Sequence, residues 1–409
     1  MNKNKIINDP IYGFISIKSE KMFDLIEHPF LQRMRHIRQL GLAELVYPGA
    51  IHTRFHHALG AMHLMGQALT ILRTKGVDLT DEECEAAQIA TLLHDTGHGP
   101  FSHALEETLL AQIKHESISF LFMKELNRQF GGSLGLVVKI FQNTYAKKFL
   151  HQLVSSQLDI DRLDYLNRDS FFTGVREGAV GTDRIIAMLN VSKGQLVVEE
   201  KGIYNIESFL NARRLMYWQV YLHKTSVAAE RLLVNIIKRA QYLAASGEVL
   251  PASEALSLFI NNRFSLEDFS EKKNLLLAFG SLDDNDVWGA VKHWQSHRDP
   301  VLSRLCRMLL ERKLFQIRLS TEPIVKSDVE KVKDAIAREW KLAKRDAPYL
   351  FSHGTVSNEA YLSERNSIQI LMKTGELVDV AQASDLPNIK AMSKIVKKNY
   401  LCWPKNLSL

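Results

Sequence analysis

Cysteine is scarce and badly spaced for either of its usual structural uses. The 409 residues include three, Cys84, Cys306 and Cys402, widely separated and odd in number. With no CxxC spacing they give no support to a thiolate zinc site and read as reduced thiols of a cytosolic protein. An uninterrupted apolar run of membrane length is missing too. Nothing in the opening residues, MNKNKIINDP, resembles a signal peptide, so a cytoplasmic protein without membrane association is expected. Charge of one sign is barely in excess: 52 Lys+Arg face 46 Asp+Glu, a net +6. That surplus suits an enzyme handling phosphates and is too thin to argue for wrapping nucleic acid. Internal repeats and low-complexity linkers are absent. What is present is a chain 46% apolar, long enough for a large core.

Most of the first 240 residues read as helix. After Arg54, FHHALGAMHLMGQALTILRTKG sets Ala58, Met62, Met65, Leu69 and Leu72 on one stripe, with His57, Ala61, Leu64, Ala68 and Ile71 beside it. A helix apolar over so much of its circumference is buried, so His57 lies in or beside the core. DEECEAAQIATLLHD is a second helix, capped by Thr80 or Asp81 and stopped by a Gly-rich stretch. SSQLDIDRLDYLNRD is a third, with Ser155 or Ser156 as its cap. The Lys-Gly step within 189–206 predicts a small hairpin, and a long helix is expected from about Glu207 to Ala245. Residues 250–345 read as mostly helical, with Trp288, Trp294 and Trp340 as packing anchors; SIQILMKTG and ELVDVAQ are the best strands of the tail. The one plausible boundary, SGEVLPAS near 245–255, divides residues 1–245 from 246–409. The fold class is therefore all-α, with a small β-hairpin and a mixed α+β C-terminal part.

The chemistry concentrates in a few residues. His57, the doublet His94-Asp95 and Asp161 supply two imidazoles and two carboxylates, a set that suits Mn²⁺, Fe²⁺, Ni²⁺ or Zn²⁺ and tolerates Mg²⁺. A divalent ion so held lowers the pKa of coordinated water from about 16 towards roughly 7–9. A lone buried histidine is more often a hydrogen-bonded core residue, and Asp-rich helices are usually solvated. Joint context decides otherwise here. The doublet ends an apolar helix at Gly97, Gly99 and Pro100, where an unpaired carboxylate and imidazole would be costly to bury. On the third helix Asp161, Tyr165 and Asp169 share a face, with Arg162 one step round. These features point to a metal-dependent hydrolase.

The ordered set H…HD…D, carried by HTRFHHALG, LLHDTGHGPFSH, KHE at 114–116 and DIDRLDYLNRD, resembles the HD-domain phosphohydrolase superfamily. Within it the chain is most similar to the deoxynucleoside triphosphate (dNTP) triphosphohydrolases, on the strength also of NDPIYGFI, HPFLQRMRHIRQLG and ARRLMYWQVYLHK. The resemblance covers roughly residues 8 to 230 and implies metal ligation by His57, His94, Asp95 and Asp161. It implies that Arg54 contacts the α-phosphate region, that His98 and His103 face the α-phosphate and its bridging oxygen, and that His115, supported by Glu106 and next to Glu116, is the catalytic histidine. Arg162, Tyr165 and Arg213 would hold the triphosphate, Asp169 would approach the sugar, Gln39 and Leu40 would meet the sugar edge, and Tyr221 would lie near the base. Residues 1–245 would be the phosphohydrolase core and 246–409 a helical region packing on it and in oligomer contacts. Leu222 stands where the family relative carries glutamine and Tyr217 where it carries histidine. Glu27 replaces an aspartate of an activating-nucleotide site in which Gln32 and Arg35 match.

The resemblance thus implies hydrolysis of a dNTP at the α-phosphorus, giving deoxynucleoside and inorganic triphosphate, in a homo-oligomer (dimer or tetramer) open to nucleotide activation. Phosphodiester or phosphomonoester hydrolysis of another nucleotide would use the same metal site. A nucleotide-sensing or nucleic-acid-binding module with little catalysis would rest on KLAKR (341–345) and KAMSKIVKKNY (390–400), segments that are more often solvated helix faces. His52, His56 and His63 match no ligand position and read as structural.

Overall fold

The computed structural model describes residues 5–110, 113–358, 367–386 and 396–407. Helices dominate, as expected, and β-structure is confined to three small sheets among these residues. The first was not expected: β1 (Lys5–Asp9) and β2 (Gly13–Ile17) form an antiparallel hairpin. Its turn is tied by Asp9, whose Oδ1 accepts from the N–H of Ile11 (2.9 Å) and of Tyr12 (3.0 Å). Strands of five residues carry too little periodicity to stand out, though the Asp-Pro turn was a signal.

Helix α1 (Arg54–Thr74) runs through the middle of the core. Thirteen of its 21 residues are buried, so the two neighbouring apolar stripes face protein rather than water. Helix α2 (Asp81–Leu93) packs along it. Its cap is Thr80, in a reciprocal box with Glu83: Glu83 N–H donates to Thr80 Oγ1 at 3.1 Å and Thr80 N–H to Glu83 Oε2 at 2.8 Å. The helix runs out at His94. Helices α3 (His103–Leu109) and α4 (His115–Gln129) follow, and α5 (Ile160–Thr173) packs against α1. The cap of α5 is Asp159, not Ser155 or Ser156. Its Oδ1 accepts from Arg162 N–H and its Oδ2 from Ser156 N–H, both at 2.8 Å. One carboxylate closes the helix end and the preceding loop together, which a hydroxyl does less strongly.

The expected hairpin is β3 (Leu189–Ser192) and β4 (Gln195–Glu199), joined at Lys193-Gly194. The long helix expected over 207–245 is instead two. Helices α6 (Ile203–Met216) and α7 (Lys224–Ala245) are separated by a π turn over Tyr217–Tyr221, in which Leu222 N–H reaches back to Tyr217 O at 2.7 Å. The widened turn lets Tyr217 and Tyr221 face the same cavity, their rings edge to face at 5.3 Å.

Beyond α7, α8 (Asp284–Trp294) and α9 (Pro300–Leu310) pack on each other. Trp294 is fully buried and donates its indole N–H to Pro251 O at 2.9 Å, whereas Trp288 and Trp340 are half-buried. The C-terminal part adds β5 (Gln316–Ser320), β6 (Ser352–Ser357), β7 (Gln369–Leu371), β8 (Leu377–Asp379) and β9 (Lys397–Trp403). Strands β5, β9 and β6 form an antiparallel sheet in that order, and β7 and β8 extend the hairpin to β3-β4-β7-β8, with β4 and β7 parallel. Both strands expected in the tail exist, but the end of ELVDVAQ turns helical at Val380–Ala383. Of KAMSKIVKKNY, residues 390–395 lie outside the described residues and Lys397–Tyr400 belong to β9 rather than to a solvated helix. Among the described residues no helix is long and apolar enough to cross a membrane.

Candidate metal centre and the cavity beside it

Three helices converge on one point: α1 brings His57, the end of α2 brings His94, and the first turn of α5 brings Asp161. Their donor atoms lie within 4.8 Å of one another. His57 Nε2 is 3.0 Å and His94 Nε2 3.4 Å from Asp161 Oδ1. Each imidazole is oriented from behind. His57 Nδ1–H donates to Asp164 Oδ2 at 2.8 Å, and His94 Nδ1–H donates to Thr91 O at 2.6 Å. That fixes both tautomers with the Nε2 lone pair forward. Both Nε2 atoms are buried and lack a well-oriented hydrogen-bond partner. Two such atoms beside a carboxylate fit a divalent cation. Burial alone would push these imidazoles down. The carboxylates Asp161 and Asp164 carry His57 up to about 10, and Asp95 with Asp161 carries His94 up to about 9. The point thus draws positive charge, as protons or as a metal ion.

Asp95 stands at the rim of this group. Its Oδ1 is 3.4 Å from His94 Nε2 and its Oδ2 3.8 Å from His57 Nε2, while Oδ2 also takes a short charge-assisted bond from Arg54 Nη1. Arg54 in turn donates from Nε to Ser102 Oγ at 2.7 Å. The guanidinium is thereby anchored beside the candidate metal group.

A support that the sequence reading passed over lies behind His57. Asp164 is fully buried and accepts from Arg168 Nε and Nη2, each at 2.9 Å, and Arg168 Nη1 donates to Asp9 Oδ2 at 2.9 Å. Despite burial, Arg168 and His57 hold the Asp164 carboxyl down at about 2. The i, i+4 spacing of Asp164 and Arg168 was the legible signal. Gly60 makes room for the pair, since a Cβ there would sit 2.1 Å from both Arg168 Nη2 and Asp164 Oδ1.

Three histidines form a second group. His98 and His115 stack at 3.7 Å between ring centroids, and His103 meets both edge to face. Glu106 joins two of them, accepting from His103 Nδ1–H at 3.0 Å and from His115 Nδ1–H at 3.1 Å. Against the effect of burial, those bonds hold its carboxyl well below the ordinary range. His98 is buried and pushed well down, first by desolvation and then by Arg54. It is a neutral imidazole at pH 7. Gly97 permits the approach: a Cβ there would lie 2.1 Å from His115 O.

A cavity of about 510 Å³ opens onto both groups. It is lined by Gln39, Leu40, Arg54, His94, Asp95, His98, His103, His115, Asp161, Arg162, Tyr165, Asp169 and Tyr221. His57 and Glu106 stand behind that wall. So does Arg213, buried and donating to Gln157 Oε1 at 3.1 Å. Asp169 reaches the cavity with both oxygens engaged, by His52 Nε2–H at 2.7 Å and by Tyr221 O–H at 2.8 Å. His52 is thus a support for a cavity residue, and His56 closes the first turn of α1 against Thr53.

The HD domain family matches residues 54–169 and the HD associated region residues 180–250. A crystal structure of a phosphohydrolase from Bacteroides thetaiotaomicron superposes with a TM-score of 0.95 and 49% sequence identity, over 98% of this chain and 100% of that one. The chain belongs to the HD-domain phosphohydrolases. An uncharacterized protein of Bacillus subtilis is 33% identical over 325 residues, 77% of this chain and 72% of its own length. A deoxynucleoside triphosphate triphosphohydrolase of Danio rerio is 28% identical over 304 residues, 62% of this chain; the chain spans about half, 48%, of that relative. In this HD-domain phosphohydrolase the family's segment starts at Arg54 and ends at Asp169, two residues that line the cavity.

Proposed function

We propose that this HD-domain phosphohydrolase cleaves deoxynucleoside triphosphates at the α-phosphorus, releasing deoxynucleoside and inorganic triphosphate. One observation carries the reading: Arg54, Arg162 and the histidine trio line the same cavity as His94, Asp95 and Asp161. A lone metal site serves many phosphate esters, whereas guanidinium groups arranged around it suit a chain of several phosphates. The named activity of the Danio rerio relative agrees with it.

The residues divide the work. His57, His94, Asp95 and Asp161 would hold a divalent ion, which when bound supplies Lewis acidity to the phosphate and to water. Arg54, pinned by Asp95 and Ser102, meets an oxygen of the α-phosphate. Arg162, whose Nε donates to Ser156 O at 3.1 Å, keeps its remaining N–H groups for the outer phosphates. Water adds to the α-phosphorus, the bond to the 5′-oxygen breaks, and that oxygen takes a proton. His115 is placed to give it, with Glu106 fixing its Nδ1–H and leaving Nε2 free towards the cavity. Neutral His98 contacts the phosphate without adding charge. Tyr165 lies between Arg162 and Tyr221, where its ring crowds the position of a ribose 2′-hydroxyl. Oligomerisation and nucleotide activation belong to the same proposal.

The test is product analysis with Mn²⁺ or Mg²⁺ and each of the four dNTPs. Deoxynucleoside and triphosphate in equal amounts are expected. Monophosphate with pyrophosphate would assign the site to a different bond.

A further inference from the structure

Arg54, Arg162 and the histidines line the cavity together with Leu222, Ser226 and Glu230, which stand at four-residue spacing along and just ahead of α7. Ser226 is 2% exposed, and its hydroxyl has no hydrogen-bond partner among the described residues. One turn on, the Glu230 carboxyl has neither a hydrogen bond nor an ion pair among those residues. Burial pushes it up to about 7, and Arg231 is the one charged side chain that bears on it. An unmatched buried hydroxyl is a cost that a bound ligand can remove, and the partly exposed Glu230 carboxyl beside it is open to the same ligand.

We propose that Ser226 and Glu230 form the base-reading end of the cavity and select a base edge with two adjacent N–H donors, that of guanine. The inference rests on the nucleotide reading above. A carboxylate accepts through two oxygens in one plane. Guanine presents N1–H and its 2-amino group side by side, and each of the other three bases puts an acceptor in one of those places, facing a carboxylate oxygen. The Ser226 hydroxyl, one turn away, can donate to the neighbouring O6. A site built to satisfy such donors rejects analogues that lack them, because its own groups are then left unpaired.

The test compares dGTP with dITP, which lacks only the 2-amino group, and with dATP. Dissociation constants are measured by equilibrium dialysis in EDTA, and kcat/KM with Mn²⁺, for wild type, Glu230→Gln and Ser226→Ala. Wild type is expected to bind dGTP at least about tenfold more tightly than dITP or dATP. Glu230→Gln should erase that advantage while leaving dATP within about twofold, and Ser226→Ala should lose a few-fold for dGTP. Equal affinities for dGTP and dITP in wild type would overturn the proposal, and that arm depends on no variant folding correctly. An unchanged ranking in folded Glu230→Gln would overturn it too. Selective dGTP binding with no product from any dNTP would leave this subsite standing and remove the hydrolase reading; equal binding and equal turnover of all four would do the reverse.

Discussion

The two histidine groups of the cavity are held by opposite strategies. The group of His57, His94 and Asp161 is supported mainly from within the HD segment: Asp164 and Arg168 lie three and seven residues beyond Asp161 on the same helix, and Thr91 lies three before His94, although Arg168 also reaches Asp9 of the first hairpin. The loop leading to His103 is supported from far away. Phe101 and Ser102 both have positive φ, 55° and 53°, a conformation that non-glycine residues adopt only when their surroundings impose it. Asp284, at the start of α8, imposes it. Its Oδ1 accepts from Phe101 N–H at 2.7 Å and its Oδ2 from Arg38 N–H at 2.8 Å. Arg33 completes the frame, donating to the carbonyls of Thr96, His98, Phe279 and Leu282 at 2.6 to 3.1 Å. One group is thus mainly a local device, and the other depends on a contact between the HD segment and the C-terminal part.

The largest effect should come from removing the shared ligand. Asp161→Ala takes away the oxygen that lies within 3.4 Å of both Nε2 atoms. Metal content by elemental analysis and turnover should both fall to background, with the far-ultraviolet circular dichroism unchanged. Retained turnover would exclude the assigned centre. Asp164→Asn should come next. It keeps the shape but breaks the charge pair with Arg168 and the acceptor for His57, so metal affinity should fall by about 10- to 100-fold. Leaving Arg168 buried with one partner fewer should cost about 3–5 kcal/mol of stability. A variant that melts normally and binds metal normally would show the support to be decorative.

Asp284→Asn sharpens the contrast, because it touches only the distant frame. Asn offers one acceptor where two backbone N–H groups need one each, so about 1–3 kcal/mol of stability should be lost. The strained turn should relax, and kcat should drop by about tenfold, the equivalent of roughly 1.4 kcal/mol of misplacement. Metal content should stay at the wild-type level. Metal loss in parallel with kcat would mean the two groups are one unit and the comparison fails.

This division also accounts for what was legible beforehand. Everything organised by local spacing could be read: the buried stripes of α1, the Thr80 cap, the Lys193-Gly194 hairpin, and the convergence of His57, His94 and Asp161 as ligand types. Asp164 could have been found by the same reasoning, from its i, i+4 arginine. The frame could not. Nothing at Asp284 or Arg33 announces a partner 183 or 63 residues away, and a carboxylate at a helix start reads first as a cap. The π turn at Tyr217–Tyr221 was hidden for a related reason. Its apolar and aromatic residues fit an ordinary helix, and one extra residue per turn leaves no trace in composition. Arg213 was legible as a cation, but its buried bond to Gln157 was not, since helix spacing does not say which neighbour covers a face.

The smallest expected effect concerns pH and the distant-frame group. Glu106 has its folded-state pKa held below its unfolded value by His103 and His115. A depressed carboxyl contributes stability that is present above the unfolded pKa, about 4.3, and is lost as pH falls through the folded one. Glu106→Gln lacks that contribution at every pH. The difference in melting temperature between wild type and variant should therefore shrink as the pH falls below about 4. The His103 side of the pairing is exposed to solvent, so the gap at pH 7 should be a few degrees at most. A gap that widened in acid would mean that Glu106 is protonated in the folded protein, and the orientation assigned to His115 would go with it.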